Sequence, residues 1–321
     1  MSVLLDVHNL KTYFYTRKGV LHAVDGVSFN IKKGEVFGLV GESGCGKSMT
    51  ALSILRLVPF PGKIVGGEII FKERDLLKMT EEEIRKIRGN KITMIFQDPN
   101  TSLNPVFRVG YQVDEIQMIH FPKKALSEIR ENTIRLFEKV GIAKARIRRN
   151  EYPHQFSGGM KQRVMISMSI ANIPELLIAD EPTTALDVTV QARLIRLLLR
   201  LKEEYDLSIL LITHNLGLVA ETCDRVAVMY SGKIIEEADV YEIFDSPLHP
   251  YTKGLMNCIP RVDKDIERLE AIPGYVPENY GGWKYCIFAE RCKYCSDKCK
   301  SSVPPLKEVG NNHKVRCFLY E

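Results

Sequence analysis

Eight consecutive residues carry the most specific chemistry in this chain: Gly41-Glu42-Ser43-Gly44-Cys45-Gly46-Lys47-Ser48, a glycine, four residues, then Gly-Lys-Ser. Glycines let the backbone curl until successive N–H groups face one anion. The Lys47 ammonium can reach β- and γ-phosphates, and the Ser48 hydroxyl, followed by Met49, can ligate magnesium. Two acids, Asp180-Glu181, close the apolar run Leu176–Ala179. Asp180 is placed to hold magnesium and Glu181 to polarise an attacking water. Taken alone, such a pair is also what a solvated strand end looks like. A third group, Ser157-Gly158-Gly159, opens a helix. It reads either as a second anion-ready N-terminus or as a plain N-cap with flexible glycines. One ATP does not need two such sites on one chain, so the economical reading has Ser157–Gly159 closing over the nucleotide of a partner copy.

This chemistry requires elements to position it. Glu35 to Val40 reads as a short buried strand and Ser48 to Leu57 as a helix, which puts the loop at a helix N-terminus, where free amides and the dipole favour phosphate. The apolar runs Val36–Val40, Ile92–Phe96, Leu176–Ala179, Ser208–Ile212 and Arg225–Met229 alternate with helical patterns. That predicts an α/β domain with a largely parallel core sheet. The alternating segment Leu4–Phe14 suits a flanking antiparallel sheet, and Lys233–Glu236 pairs back as a hairpin strand after the Ser231-Gly232 turn. Residues 100–165 are longer-patterned, helical and charged, and read as a helical insertion. Past residue 245 the core pattern ends and prolines, glycines and tyrosines rise. The expected domains are therefore 1–245 and a C-terminal extension, 246–321.

With 321 residues, 45% hydrophobic and 26% charged, the chain has the composition of an ordinary globular protein of one large domain plus an appendage. No uncharged apolar run approaches the roughly 18 residues of a membrane span. Met1–Leu10 has no basic start followed by an apolar core, so no secretory signal is expected and the expected compartment is the cytosol. The net charge of +5 suits an anionic membrane face and does not demand nucleic acid. Of eight cysteines, Cys45, Cys223 and Cys258 are scattered. Cys286, Cys292, Cys295, Cys299 and Cys317 crowd the last 36 residues. In a cytosolic setting this argues for a metal or cluster over disulfides. Four thiolates can bind tetrahedral zinc or a cubane iron–sulfur cluster, and the paired Cys-x-x-Cys of a zinc ribbon is only half present.

Together these residues resemble the ATP-binding subunit of an ABC transporter. The segment Phe156-Ser157-Gly158-Gly159-Met160 is similar to the family signature LSGGQ, departing from it at both ends. Gln97 resembles the Q-loop glutamine, Ala185-Leu186-Asp187 the D-loop, and His214, 33 residues past Glu181, the switch histidine. The resemblance implies an ABC-type P-loop NTPase core: a RecA-like parallel sheet, an antiparallel β subdomain and a helical subdomain. It implies ATPase activity with Glu181 as general base, His214 on the γ-phosphate, and Gln97 on magnesium and the γ-phosphate. Phe14 fits best, with Tyr13 the runner-up, as the aromatic platform for adenine; either could instead be a packing residue.

Two further stretches resemble the dipeptide/oligopeptide branch: Phe96-Gln97-Asp98-Pro99 continuing through Thr101–Pro105, and Ser246-Pro247-Leu248-His249-Pro250-Tyr251-Thr252 followed by Ile259-Pro260. That branch carries four tail cysteines, matching Cys286, Cys292, Cys299 and Cys317, associated with a 4Fe–4S cluster. Cys295 is extra, a substitute ligand or a free thiol; zinc is the alternative metal. The branch also includes nickel and glutathione importers. The implied partners are a second ATP-binding subunit, identical or paralogous, and two integral permeases. An extracytoplasmic peptide-binding protein acts indirectly, and the implied place is the cytosolic face of a prokaryotic inner membrane. From other classes, a soluble ABC ATPase of DNA repair or translation would bring a long coiled coil or a second cassette, and neither is visible. A redox sensor in the tail that gates the ATPase has only the cysteines in its favour.

Overall fold

A computed structural model describes residues 2–183, 187–258, 272–310 and 312–321. The expected Ile259-Pro260, and Ala185-Leu186 of the D-loop, lie outside the described residues. In chain order the first elements are β1 (Val3–Thr16), β2 (Gly19–Lys32), β3 (Val36–Val40), α1 (Lys47–Ile54), β4 (Gly62–Phe71), β5 (Arg74–Asp75) and α2 (Glu81–Ile87). Next come β6 (Ile92–Ile95), α3 (Pro99–Ser102), α4 (Val109–His120), α5 (Leu126–Lys139), α6 (Ala145–Arg148) and α7 (Gly158–Ile170). They are followed by β7 (Leu176–Asp180), α8 (Val188–Tyr205), β8 (Ser208–Thr213), α9 (Leu216–Thr222), β9 (Arg225–Tyr230), β10 (Lys233–Asp239) and α10 (Val240–Asp245). The tail carries α11 (Pro250–Asn257), α12 (Asp297–Ser301), β11 (Lys307–Glu308) and β12 (Lys314–Val315). All five expected core strands are present, as are the hairpin strand and the N-terminal antiparallel strand.

The chain divides into two compact units, Met1–Lys78 with Leu211–Glu321, and Met79–Leu210. In the first unit β1 pairs antiparallel with β2 and β4, giving the order β2-β1-β4-β5. The sequence expectation missed β2 and β4. Their alternation is broken where the pairing shifts register between His8 and Lys11. There Gly67 has φ +97°, and a Cβ on it would lie 2.6 Å from the Leu10 Cα. Only glycine fits that bulge.

Also in this unit β3 pairs in parallel with β9, β9 antiparallel with β10, and β10 with β12. Every residue of β3 is buried, as an apolar run without alternation requires. The C-terminal extension therefore adds strands to this sheet. It is fastened by Glu236, fully buried, whose carboxylate meets His313 Nε2 at 2.7 Å and accepts the N–H groups of Leu248 and His249 at 2.6 and 2.9 Å. Burial pushes this carboxyl up, but the His313 and backbone hydrogen bonds outweigh it and hold it below the usual glutamate range.

In the second unit β6 and β7 pair in parallel, with Ile95 opposite Ala179. Helices α3 to α7 fill residues 99–170. The α4–α5–α7 group closes over Val113, Ile129, Leu136, Phe137, Val164 and Ile170, all nearly or fully buried. Inside it, Asp114 accepts from Thr133 Oγ1 at 2.6 Å and from Arg149 at 2.7 Å, so its buried charge is paired.

Candidate nucleotide site and cysteine cavity

Strand β3 delivers the chain to Gly41 and α1 takes it away from Gly46, so residues 41–46 form a loop on a helix N-terminus. The glycines are steric necessities. Gly41 has φ +150° and Gly46 φ +106°; a Cβ would come within 2.2 Å of the Met229 carbonyl oxygen at the first and 2.3 Å of the Ala23 carbonyl oxygen at the second. Helix α1 starts one residue earlier than expected and stops at Ile54, before Arg56 turns left-handed at φ +52°. Lys47, 5% exposed, donates from Nζ to the carbonyls of Gly41 (2.8 Å) and Glu42 (2.9 Å) and to Cys45 Sγ (3.5 Å). Ser48 and Met49 follow on α1. Strand β8 ends at Thr213 and hands directly to His214, which is exposed.

The two candidate aromatics differ in how committed they are. The Tyr13 ring stacks on His22 at 3.7 Å between centroids and 14° between planes, and its hydroxyl donates to Asp25 at 2.9 Å. Burial, then that carboxylate, pushes its phenol far up. Phe14 is half-buried against Gly62, where a Cβ would lie 2.7 Å from its ring.

In the second unit the β6–β7 register decides the geometry. Ile95 lies opposite Ala179, so Gln97 and Glu181 each stand two residues beyond a paired position. Gln97 Nε2 donates to Glu181 Oε2 at 2.9 Å. Asp180 is buried at the end of β7, and Glu181 has φ +46°, a left-handed backbone that costs a non-glycine residue roughly 1 kcal/mol or more. Ser157 stands at the N-cap of α7, exposed, and makes no side-chain capping bond. Ser157 and Gly158 are both exposed at this helix start. Gly159 packs so that a Cβ would lie 3.2 Å from Val190. Asp187 caps α8, accepting from the Val190 N–H at 2.9 Å.

None of the eight cysteines, all among the described residues, is in a disulfide. Cys286, Cys292, Cys299 and Cys317 line one cavity of about 70 Å³, walled by His249, Phe288, Tyr294, Phe318 and Leu319 among others. The Cys286 N–H donates to the Cys299 carbonyl at 2.8 Å. Burial first, then the neighbouring thiols, pushes the Cys286 thiol up to about 11, and raises Cys292 and Cys317 as well. Cys295 does not line the cavity, and its Sγ lies 3.7 Å from the Ser296 carbonyl. Among the described residues, no group of three or more His, Cys, Asp or Glu side chains is gathered tightly enough to hold a metal ion. The four thiols thus share a cavity without converging on a point.

Sequence reasoning missed two residues beside the phosphate loop. Tyr251 accepts the Glu42 N–H at 3.0 Å, and Arg291 forks onto the Glu42 carboxylate. Tyr251 lay in plain view within the quoted His-Pro-Tyr-Thr stretch, but nothing local connects it to a loop 209 residues earlier.

Residues 24–184 match the family described as "ABC transporter", and residues 235–299 match "Oligopeptide/dipeptide transporter, C-terminal region". The chain is 50% identical over 319 residues to the probable peptide ABC transporter ATP-binding protein y4tR of Sinorhizobium fredii, covering 99% of this chain and 95% of the relative. It is also 50% identical to the oligopeptide transport ATP-binding protein AppD of Bacillus subtilis, covering 100% and 98%. Among solved structures, the dimeric post-hydrolysis state of the ATP-binding cassette MJ0796 bound to ADP and Pi superposes with a TM-score of 0.66 at 26% identity, over 74% of this chain and 98% of that one. The antiparallel sheet, the parallel strands behind the phosphate loop and the helices of residues 99–170 are accordingly those of an ABC ATPase cassette, and this chain belongs to the ABC transporter ATP-binding family, in its oligopeptide/dipeptide branch.

Proposed function

We propose that the chain hydrolyses ATP to power import of dipeptides and oligopeptides. It would work as a peripheral subunit on the cytosolic face of the inner membrane, against two permease subunits and a second ATP-binding subunit. The observation that carries the peptide assignment is the likeness to peptide-transport relatives along the full length, tail included. No helix among the described residues is long and apolar enough to cross a membrane, which suits a subunit that relies on integral partners. The ATPase domain is assigned to 1–245 and the extension to 246–321.

In this reading residues 41–46 cradle the triphosphate with backbone amides, and Lys47 leaves the Gly41 and Glu42 carbonyls for the β- and γ-phosphates. Ser48, Asp180 and Gln97 hold magnesium. Glu181 takes the proton of the attacking water, and the Gln97 amide fixes the orientation of its carboxylate. His214 bonds the γ-phosphate. Phe14 serves as the adenine platform, because the Tyr13 ring is already stacked on His22. Ser157–Gly159 contact the nucleotide of the partner subunit, supported by the exposure of Ser157 and Gly158 at the start of α7. Asp187 acts across the same seam. Solute uptake tests the assignment. Cells lacking this chain lose uptake of a radiolabelled dipeptide and recover it with a plasmid copy. Unchanged peptide uptake with lost nickel accumulation would contradict peptide import.

The cysteine cavity is proposed to hold a 4Fe–4S cluster, with zinc the alternative. The donor chemistry fits, four thiols on one apolar-walled cavity, and binding would draw them inward and release their protons. Cys286, Cys292, Cys299 and Cys317 would be the ligands, and Cys295 stays outside. Ligation by these four residues would tie together four separated points of a short polar tail. Anaerobically purified protein is expected to show broad visible absorption that bleaches on reduction and disappears in Cys317→Ser. Colourless protein without iron, by elemental analysis, would contradict the cluster.

A further inference from the structure

The phosphate loop is gripped from outside by the C-terminal extension. Arg291 places Nη1 2.8 Å from Glu42 Oε2 and Nη2 3.1 Å from Oε1, a two-pronged fork. Its side chain is 5% exposed. The rest of the guanidinium is fixed by the Pro273 carbonyl (2.8 Å from Nε), the Ile272 carbonyl (3.4 Å) and the Tyr230 hydroxyl (3.3 Å). From the other side Tyr251, fully buried, takes the Glu42 N–H. Its ring packs edge-on to Tyr230 and Phe288, and Phe288 also walls the cysteine cavity. Arg291 immediately precedes Cys292.

Glu42 needs this grip. The loop has left-handed glycines at 41, 44 and 46, so its own backbone holds it weakly. Lys47 braces it by bonding the Gly41 and Glu42 carbonyls, and that brace is released when the ammonium turns to phosphate.

We propose that Arg291 and Tyr251 are positioning residues of the phosphate loop, so that ATP binding by the chain depends on its own cysteine-bearing extension. This rests on the reading of residues 41–48 as the ATP site. The test is a double-mutant cycle on the full chain, reading the ATP dissociation constant, kcat and the melting temperature. Arg291→Met and Glu42→Gln each weaken ATP binding about tenfold, the loss expected for one charged hydrogen-bond pair. The double variant also loses about tenfold, because the two act through one contact. Arg291→Lys, which keeps the cation but not the fork, falls between and carries the cycle if Arg291→Met does not fold. Tyr251→Phe loses a few-fold, and kcat at saturating ATP stays within about twofold in the Arg291 and Tyr251 variants. Unchanged affinity in the single variants, additive losses near a hundredfold, or a melting shift alone would overturn the proposal. ATP binding that survives Lys47→Ala would instead overturn the underlying reading of the loop.

Discussion

Glu181→Gln binds ATP as tightly as the wild type and hydrolyses it about 10²- to 10⁴-fold more slowly, the range that a lost general base covers. The substitution is close to isosteric, so it removes basicity without emptying the space. Glu181 sits at φ +46° just past the end of β7 and accepts the Gln97 amide at 2.9 Å. A glutamine there can still accept that bond through its own carbonyl, so the local geometry survives while proton acceptance does not. The two measurements belong together: nucleotide affinity unchanged, turnover collapsed. A variant that turns over at the wild-type rate would remove Glu181 from the reaction. A variant that loses affinity to the same degree as rate would make it a binding residue.

The second large effect is at the loop. Lys47→Ala is expected to weaken ATP binding by at least about a hundredfold, roughly 3 kcal/mol, because two charge-assisted bonds to phosphate disappear. Equilibrium dialysis with labelled ATP reads this directly. Affinity within a few-fold of the wild type would contradict the assignment of residues 41–48. ADP, which keeps the β-phosphate, should lose less than ATP.

Much of this was legible because it is local. The loop, the strand before it and the helix after it occupy twenty-odd consecutive residues, and each follows from glycine placement and an unbroken apolar run. The Gln97–Glu181 contact was not readable as a distance. Once β6 and β7 pair in register, however, it follows from counting two residues past Ile95 and Ala179. Ser157 could not be decided from sequence, since a serine before two glycines is equally a cap or an anion contact. The structure leaves Ser157 at the N-cap of α7 without a side-chain capping bond. What stayed hidden was non-local or interrupted. Strands β2 and β4 break their alternation at bulges, and the Arg291–Glu42 fork joins residues 249 apart. The cysteine crowding argued for a metal or cluster and the resemblance singled out Cys286, Cys292, Cys299 and Cys317; the structure places those four on one cavity. Among the described residues it does not gather them to a metal-holding group.

The central claim is that ATP is clamped between two cassettes, each offering its phosphate loop to one nucleotide and its Ser157–Gly159 helix start to the other. Light scattering on Glu181→Gln, alone and mixed with its sister cassette, tests this most directly. ATP is expected to double the particle mass, ADP to leave it unchanged, and Ser157→Arg to abolish the doubling while the single chain still binds ATP. Particles that carry ATP yet keep the mass of a single chain in both preparations would contradict it.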